Sequence, residues 1–262
     1  GVSLLRNEGR NLVLTDAGMA ALHEADHIFA LGELLPIRVR EAAAGQTLRL
    51  NLGISDGIAK LAVHRLLRTV LEEPHLRLLC HEGEFQPLLG ELALHKLDAV
   101  LADRAAPTNP HLRASSQLLG SSAIAWYAPP LWAEAAAHQF PHSLAVVPVL
   151  LPTHHAAVRA RMDHWLEQER IRPRIAGEFE DSALLSTFAT SGMGVMPAPI
   201  SLGNHLQQTF GLVQIGATPE VSEEFHLIYS ARKVMHPLVT RLLETGPQER
   251  LLNPQAALQA PP

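Results

Sequence analysis

The chain has 262 residues, 47% of them apolar and 18% charged, enough to bury a core without disulfide or metal staples and too apolar for intrinsic disorder. Its 21 Lys and Arg against 26 Asp and Glu give a net charge of −5, so it lacks the positive excess of a free-standing nucleic-acid binder. A single cysteine, Cys80, excludes an internal disulfide and every CxxC site. No apolar run reaches the ~18 residues that cross a bilayer, and no secretory apolar segment stands near the start. The expected setting is the cytosol, with no membrane partner.

In chain order, Leu4 to Leu12 reads as a tight hairpin turning at Gly9. Thr15 precedes a helical pattern from Asp16 towards Ala44, stopped by Gly45 and roughly 45 Å long, with Pro36 expected to kink or divide it. Ala17, Ala21, Leu22, Ala25, Ile28, Phe29, Gly32 and Leu35 fall on one face of that helix, which wants a partner helix.

Beyond Gly45 strands and helices alternate, the grammar of a parallel sheet built from βαβ crossovers. Strand Thr47 to Ile54, helix Gly57 to Leu71, strand Leu76 to His81, helix Phe85 to His95 and strand Leu97 to Ala102 make one βαβαβ unit. After a Pro-rich loop, Arg104 to His111, the pattern restarts with strand Ser121 to Tyr127, helix Leu131 to Gln139 and strand Leu144 to Leu150. Helix Ala156 to Arg170, strand Ile175 to Phe179, helix Asp181 to Ser191 and a short strand at Val195-Met196 follow. Leu212 to Ile215 and Phe225 to Ala231 read as two further strands and His236 to Glu244 as a closing helix. The fold class is therefore α/β, a long N-terminal helix followed by two lobes: 46–120 plus 226–246, and 121–225. The tail 247–262, rich in proline, reads as frayed.

His23-Glu24-Ala25-Asp26-His27 fits H-E-x-x-H, the helical spacing of a zinc peptidase. Its two histidines point away from the apolar face, whereas catalytic ligands must face a dry cleft, so solvated histidines are the stronger reading. His154-His155 and Cys80-His81 have no second pair at ligand spacing, and no GxSxG, Walker or GxGxxG sequence is present. Thr190-Ser191-Gly192-Met193-Gly194 reads as a helix C-cap. No cofactor and no enzyme activity are expected.

Ligands of open α/β sheets bind beyond the carboxyl ends of strands, near helix N-termini. Ser55 and Asp56 after the first strand and Asp103 after the third take such places, and Ser121 and Ser122 open the second lobe's first strand. With Thr153, His154 and Asp181 at later helix starts they form the candidate set for an interlobe cleft. For any one of them simple N-capping is the plainer reading.

Leu4-Leu5-Arg6-Asn7-Glu8-Gly9-Arg10-Asn11-Leu12-Val13-Leu14-Thr15-Asp16-Ala17-Gly18 resembles the wing and linker-helix entry of LysR-type transcriptional regulators, with Leu5 in place of the usual aromatic. The remainder resembles that family's two-lobed, periplasmic-binding-protein-like effector domain. Five stretches are similar to the NhaR subgroup, activators that answer sodium and lithium and control a sodium/proton antiporter: His95 to Asp103, Gly177 to Leu185, Met196 to Pro199, Glu223 to His226, and His236-Pro237.

The resemblance implies that residues 1–14 are the remnant of a DNA-binding wing, with Arg6 and Arg10 against phosphates, and that promoter DNA is read by a winged helix-turn-helix upstream. It implies that residues 15–45 form a linker helix that joins subunits into a dimer or tetramer through Leu22, Ala25, Ile28, Phe29 and Leu35. It also implies an effector in the cleft. If that effector is sodium or lithium, Asp56, Asp103, Glu178, Glu180 and Asp181 are the candidate ligands, since hard cations take oxygen. The alternatives are a two-lobed small-molecule binder without DNA function and the zinc peptidase built on His23, Glu24 and His27.

Overall fold

The computed structural model describes residues 1–9, 11–43, 47–108, 114–230 and 235–244. Arg10, Gly45 and the tail 247–262 lie outside the described residues, and so does the side chain of His27.

Strands β1 (Leu5–Glu8) and β2 (Asn11–Leu14) pair antiparallel about Gly9, whose φ of +66° is costly for any residue with a Cβ. Thr15 then caps α1 (Asp16–Ala43): its Oγ1 accepts the Gly18 N–H at 3.0 Å and donates to the Ser3 carbonyl at 2.8 Å. Gly18 lets the hairpin lie on the helix, because a Cβ there would strike the Leu4 carbonyl oxygen. The division expected at Pro36 does not occur. The proline removes only the N–H that would reach the Gly32 carbonyl, and the helix continues on both sides as one element. Leu22, Ile28, Phe29 and Leu35 are 50%, 68%, 71% and 62% exposed, an apolar stripe with no cover among the described residues.

The expected βαβαβ unit is present as β3 (Leu48–Ser55), α2 (Lys60–Leu71), β4 (Leu76–Gly83), α3 (Phe85–Ala93) and β5 (Ala99–Ala102), with β3 parallel to both neighbours. Helix α2 starts at Lys60 and not at Gly57, because Ser55 completes the strand and its carbonyl accepts the Ile58 N–H in a turn. Ser55 and Asp56 therefore do not cap it. Helix α3 ends early, with His95 at a φ of 61° turning the chain into β5.

The later chain is organised by two long strands, β6 (Ala114–Ala128) and β10 (Val213–Ser230), paired antiparallel over most of their length. Between them come α4 (Pro130–Ala137), β7 (Pro148–Pro152), α5 (Ala157–Gln168), β8 (Arg174–Phe179), α6 (Ser182–Thr190), β9 (Met196–Pro199) and α7 (Gly203–Phe210); α8 (Pro237–Glu244) closes. Two expectations are corrected here. Val213 to Ile215 and Phe225 to Ser230 of the two expected strands are not separate but are ends of β10, which absorbs Pro219, Glu220 and Val221 as a bulge between Thr218, opposite Ile124, and Ser222, opposite Ala123; Ala231 lies outside the described residues. The sheet is also not parallel throughout: its order is β4-β3-β5-β10-β6-β9, with β10 antiparallel to β5 and β6. The strand expected from Leu144 begins at Pro148, because His142–Ala145 winds into a 3-10 turn.

Apolar side chains pack on both sides of this framework. Leu50, Leu52, Val63, Leu67, Phe225 and Leu238 join β3, α2, β10 and α8 into one core. Trp126, Val149, Met162 and Trp165 join β6, β7 and α5 into another, and Tyr127, Leu185, Met196 and Leu206 hold α6, β9 and α7 in a third.

Candidate functional site

A cavity of about 150 Å³ opens where β6 and β10 pass from one core to the other. Its walls come from far-apart stretches of sequence: Gly57 and Lys60 before and on α2, Met162 on α5, Leu185 on α6, Met196 on β9, and Phe210 on α7. Met162, Leu185, Met196 and Phe210 are apolar for an ordinary reason, since each also belongs to or borders a core.

Into this apolar space β10 brings Glu223, only 5% exposed and directly opposite Ser122 of β6. Among the described residues its Oε1 has no hydrogen-bond partner. Burial, and then the negative charge of Asp103, push its carboxyl up to about 8 against the weaker opposing pull of Arg161. The group is thus an acid held in its neutral, proton-donating form near neutral pH. Sequence reading passed over it as part of a resemblance. The usable signal was alternation, because Val221, Glu223, Phe225 and Leu227 lie in phase along the strand and all are buried.

The mouth is braced by charge. Lys60 Nζ reaches Asp181 Oδ2 at 2.8 Å and also bonds Glu82. Asp181 is the N-cap of α6, accepting the Leu184 N–H at 2.7 Å. Partial burial would raise its carboxyl, yet the bonds from Lys60 and Leu184 hold it below the ordinary carboxylate range. Arg104 Nε bonds Asp103 Oδ1 at 2.9 Å, and its Nη2 reaches the His155 carbonyl. Asp103, 3% exposed, accepts the Ala157 N–H at the first residue of α5. Arg65 Nη1 bonds the Ser201 carbonyl.

None of the eight residues expected to line a cleft is on the wall of this cavity. Asp103 and Asp181 brace its rim as described, and Ser55 is buried at the end of β3 beside Asp56, whose N–H goes to the Gly83 carbonyl at 3.2 Å. Ser122 is buried and accepts the Ser201 N–H at 3.2 Å, while Ser121 is exposed. Thr153 keeps a buried Oγ1 without a partner, and His154 is exposed, 3.8 Å from Asp163 Oδ2.

The five candidate cation ligands do not converge either. Glu178 bonds the buried Arg159, whose Nη1 also donates to the Pro152 carbonyl at 2.7 Å; Glu180 lies 3.9 Å from His155 Nε2. Among the described residues no three His, Cys, Asp or Glu side chains gather as a metal site. His23 is exposed on α1. On the β1–β2 hairpin Arg6 is exposed, 3.9 Å from Glu8.

No described helix is long and apolar enough to cross a membrane. The chain is 25% identical over 246 residues to the transcriptional activator protein NhaR of Escherichia coli (strain K12), covering 92% of this chain and 79% of that protein. It is 29% identical over 244 residues to the nitrogen assimilation regulatory protein nac of Klebsiella aerogenes, covering 89% and 76%. Among solved structures it is similar to CbnR, a LysR family transcriptional regulator, with a TM-score of 0.64 at 18% identity over 88% of this chain and 80% of that one. It is also similar to the effector binding domain of QuiR in complex with shikimate, with a TM-score of 0.57 at 13% identity over 77% and 96%. The LysR substrate binding domain profile matches residues 43–248, most of the chain, and the protein therefore belongs to the LysR-type transcriptional regulators, a family of regulators and not of enzymes.

Proposed function

We propose that the chain is the sensing and self-associating part of a promoter-binding regulator, and that its effector occupies the cavity beside Glu223. The observation that carries this reading is the cavity's position: it lies against both long strands, with Lys60 of α2 on one side and α6, β9 and α7 on the other. In this reading the lobes are 46–120 plus 226–246, and 121–225, and the strands between them are the hinge. A ligand shifts the balance between lobe arrangements only by binding one of them better.

The exposed stripe of α1 supports a role as a linker helix that pairs subunits into a dimer or tetramer. Arg6 on the hairpin supports a phosphate contact that positions promoter DNA without reading bases. A second reading, carried by the NhaR resemblance, makes sodium or lithium the effector at a site outside this apolar cavity. Thermal melts in matched sodium, lithium and potassium chlorides test it, and a rise in Tm with sodium or lithium alone is its expected signature.

The cavity reading is tested with Ser186→Phe, which fills the pocket from α6. Compounds screened by thermal shift should include one that raises the Tm of the original protein, leaves the variant unmoved, and changes the footprint on promoter DNA. If every stabilising compound acts equally on the variant, the effector binds elsewhere.

A further inference from the structure

We propose that the cavity takes a small uncharged molecule, apolar over most of its surface and carrying one hydrogen-bond acceptor such as a ketone or amide carbonyl, which is gripped by the buried Glu223 carboxyl. The inference rests on the cavity being the effector site, and it names the chemistry of the occupant.

Size comes first. A cavity of about 150 Å³ admits a molecule at least as large as benzene. Ile124, Met162, Leu185, Met196, Leu206 and Phe210 offer it dispersion contacts and no polar groups of their own side chains beyond the thioethers.

Charge decides the class. Among the described lining residues Lys60 is the cation an anionic ligand would need, and it is already held by Glu82 and Asp181. His205 Nδ1 shares a hydrogen bond with Thr209. Glu180 also lines the cavity, so a carboxylate or sulfate would meet an acid instead of a free base. A metal ion fares no better, because the apolar wall supplies no shell of oxygens.

The remaining feature is Glu223 itself. A buried carboxyl oxygen with no partner is costly to leave unsatisfied, and when it carries the proton its O–H can donate to a carbonyl in the cavity. The groups that face Glu223 are Asp103 from the end of β5 and Arg161 from α5, with Lys60, Glu180 and His205 around the same space. Burial, and then neighbouring Asp103, favour the protonated form, which donates to an acceptor and repels no neutral ligand.

The test titrates the whole purified chain with three probes of matched size, acetophenone, isopropylbenzene and benzoate, by calorimetry at pH 6.5 and pH 9. Acetophenone should bind about tenfold more tightly than either of the others at pH 6.5 and lose its advantage over isopropylbenzene at pH 9, where the donor is gone. Glu223→Gln keeps an N–H donor, so it should retain acetophenone binding and lose the pH dependence. Glu223→Leu should bring acetophenone to the level of isopropylbenzene. Benzoate binding as tightly as acetophenone, no binding by any probe, or an unaltered affinity in Glu223→Leu each overturns the inference while leaving the cavity reading standing. Acetophenone binding that survives Ser186→Phe, with the variant's fold checked by circular dichroism, counts against the cavity itself.

Discussion

Lys60 Nζ lies 2.8 Å from Asp181 Oδ2, an ion pair that joins the first residue of α2 to the cap of α6 across the mouth of the cavity. Arg65 to the Ser201 carbonyl and Arg104 to the His155 carbonyl are further ties between the same two halves of the chain. The mouth is thus closed by charged groups while the interior is apolar. Such a clasp holds one lobe arrangement without adding much to global stability.

The two ends of the clasp should respond differently to removal. Both side chains are partly exposed, at 42% and 35%, so Lys60→Met is expected to cost under about 1 kcal/mol. Asp181→Ala also uncaps α6, and its cost should exceed that of Lys60→Met by roughly 1 kcal/mol. Urea denaturation of both variants measures the difference. Equal losses would show that the cap contributes nothing.

Stability should fall with rising pH on account of Glu223. Its carboxyl titrates at about 8 in the fold against an ordinary value of 4.5, so between those limits the unfolded chain binds fewer protons than the native one. Its contribution is whole below 4.5 and is lost progressively as pH climbs to about 8. Asp181 and Glu224, both lowered, act in the opposite sense and lose their contribution as pH falls. Comparing the original protein with Glu223→Gln cancels those two. The variant should gain roughly 3 kcal/mol relative to the original between pH 5.5 and pH 8. A flat difference would place the carboxylate in contact with solvent or a cation.

Inside the second core, Trp126 Nε1 donates to Thr218 Oγ1 at 3.1 Å with both residues buried. Thr218→Val keeps the shape and strands the indole N–H, at an expected cost of about 1 to 3 kcal/mol. Guanidinium denaturation followed by tryptophan emission reads this out; a loss below about 0.5 kcal/mol would mean that the indole finds another acceptor.

What the sequence made legible was whatever repeats with a regular period. The β3-α2-β4-α3-β5 unit and the Thr15 cap could be read because strand and helix periods and a hydroxyl before a helix are local signals. β10 could not, since Gly216 and the bulge at Pro219 to Val221 break its alternation, and only pairing with β6 shows one strand. The first residues of β6 carry no strand signal, because three polar residues in succession, Ser115 to Gln117, and then the adjacent Leu118 and Leu119 show no alternation. The candidate acids were chosen by their place at strand ends. That rule found the rim, Asp103 and Asp181, but missed Glu223, which sits within a strand where only the in-phase burial of Val221 and Phe225 reveals it.

The stripe on α1 sets the expectation for assembly. Ile28→Glu combined with Phe29→Glu puts charge on two positions that are 68% and 71% exposed in the single chain, so the fold itself should tolerate the change. Sedimentation velocity should show the original protein as a dimer or larger and the variant as a monomer. An original chain that stays monomeric at high concentration would remove the pairing role of α1.

Five methionines offer the most direct view of the cavity, since Met162 and Met196 line it whereas Met19, Met193 and Met235 do not. With the methionine methyl groups carbon-13 labelled, acetophenone should move the Met162 and Met196 signals together, in a saturable way, and leave the other three in place. Shifts confined to Met19, Met193 or Met235, or saturable binding that moves neither cavity methionine, would contradict the assignment of the cavity as the effector site.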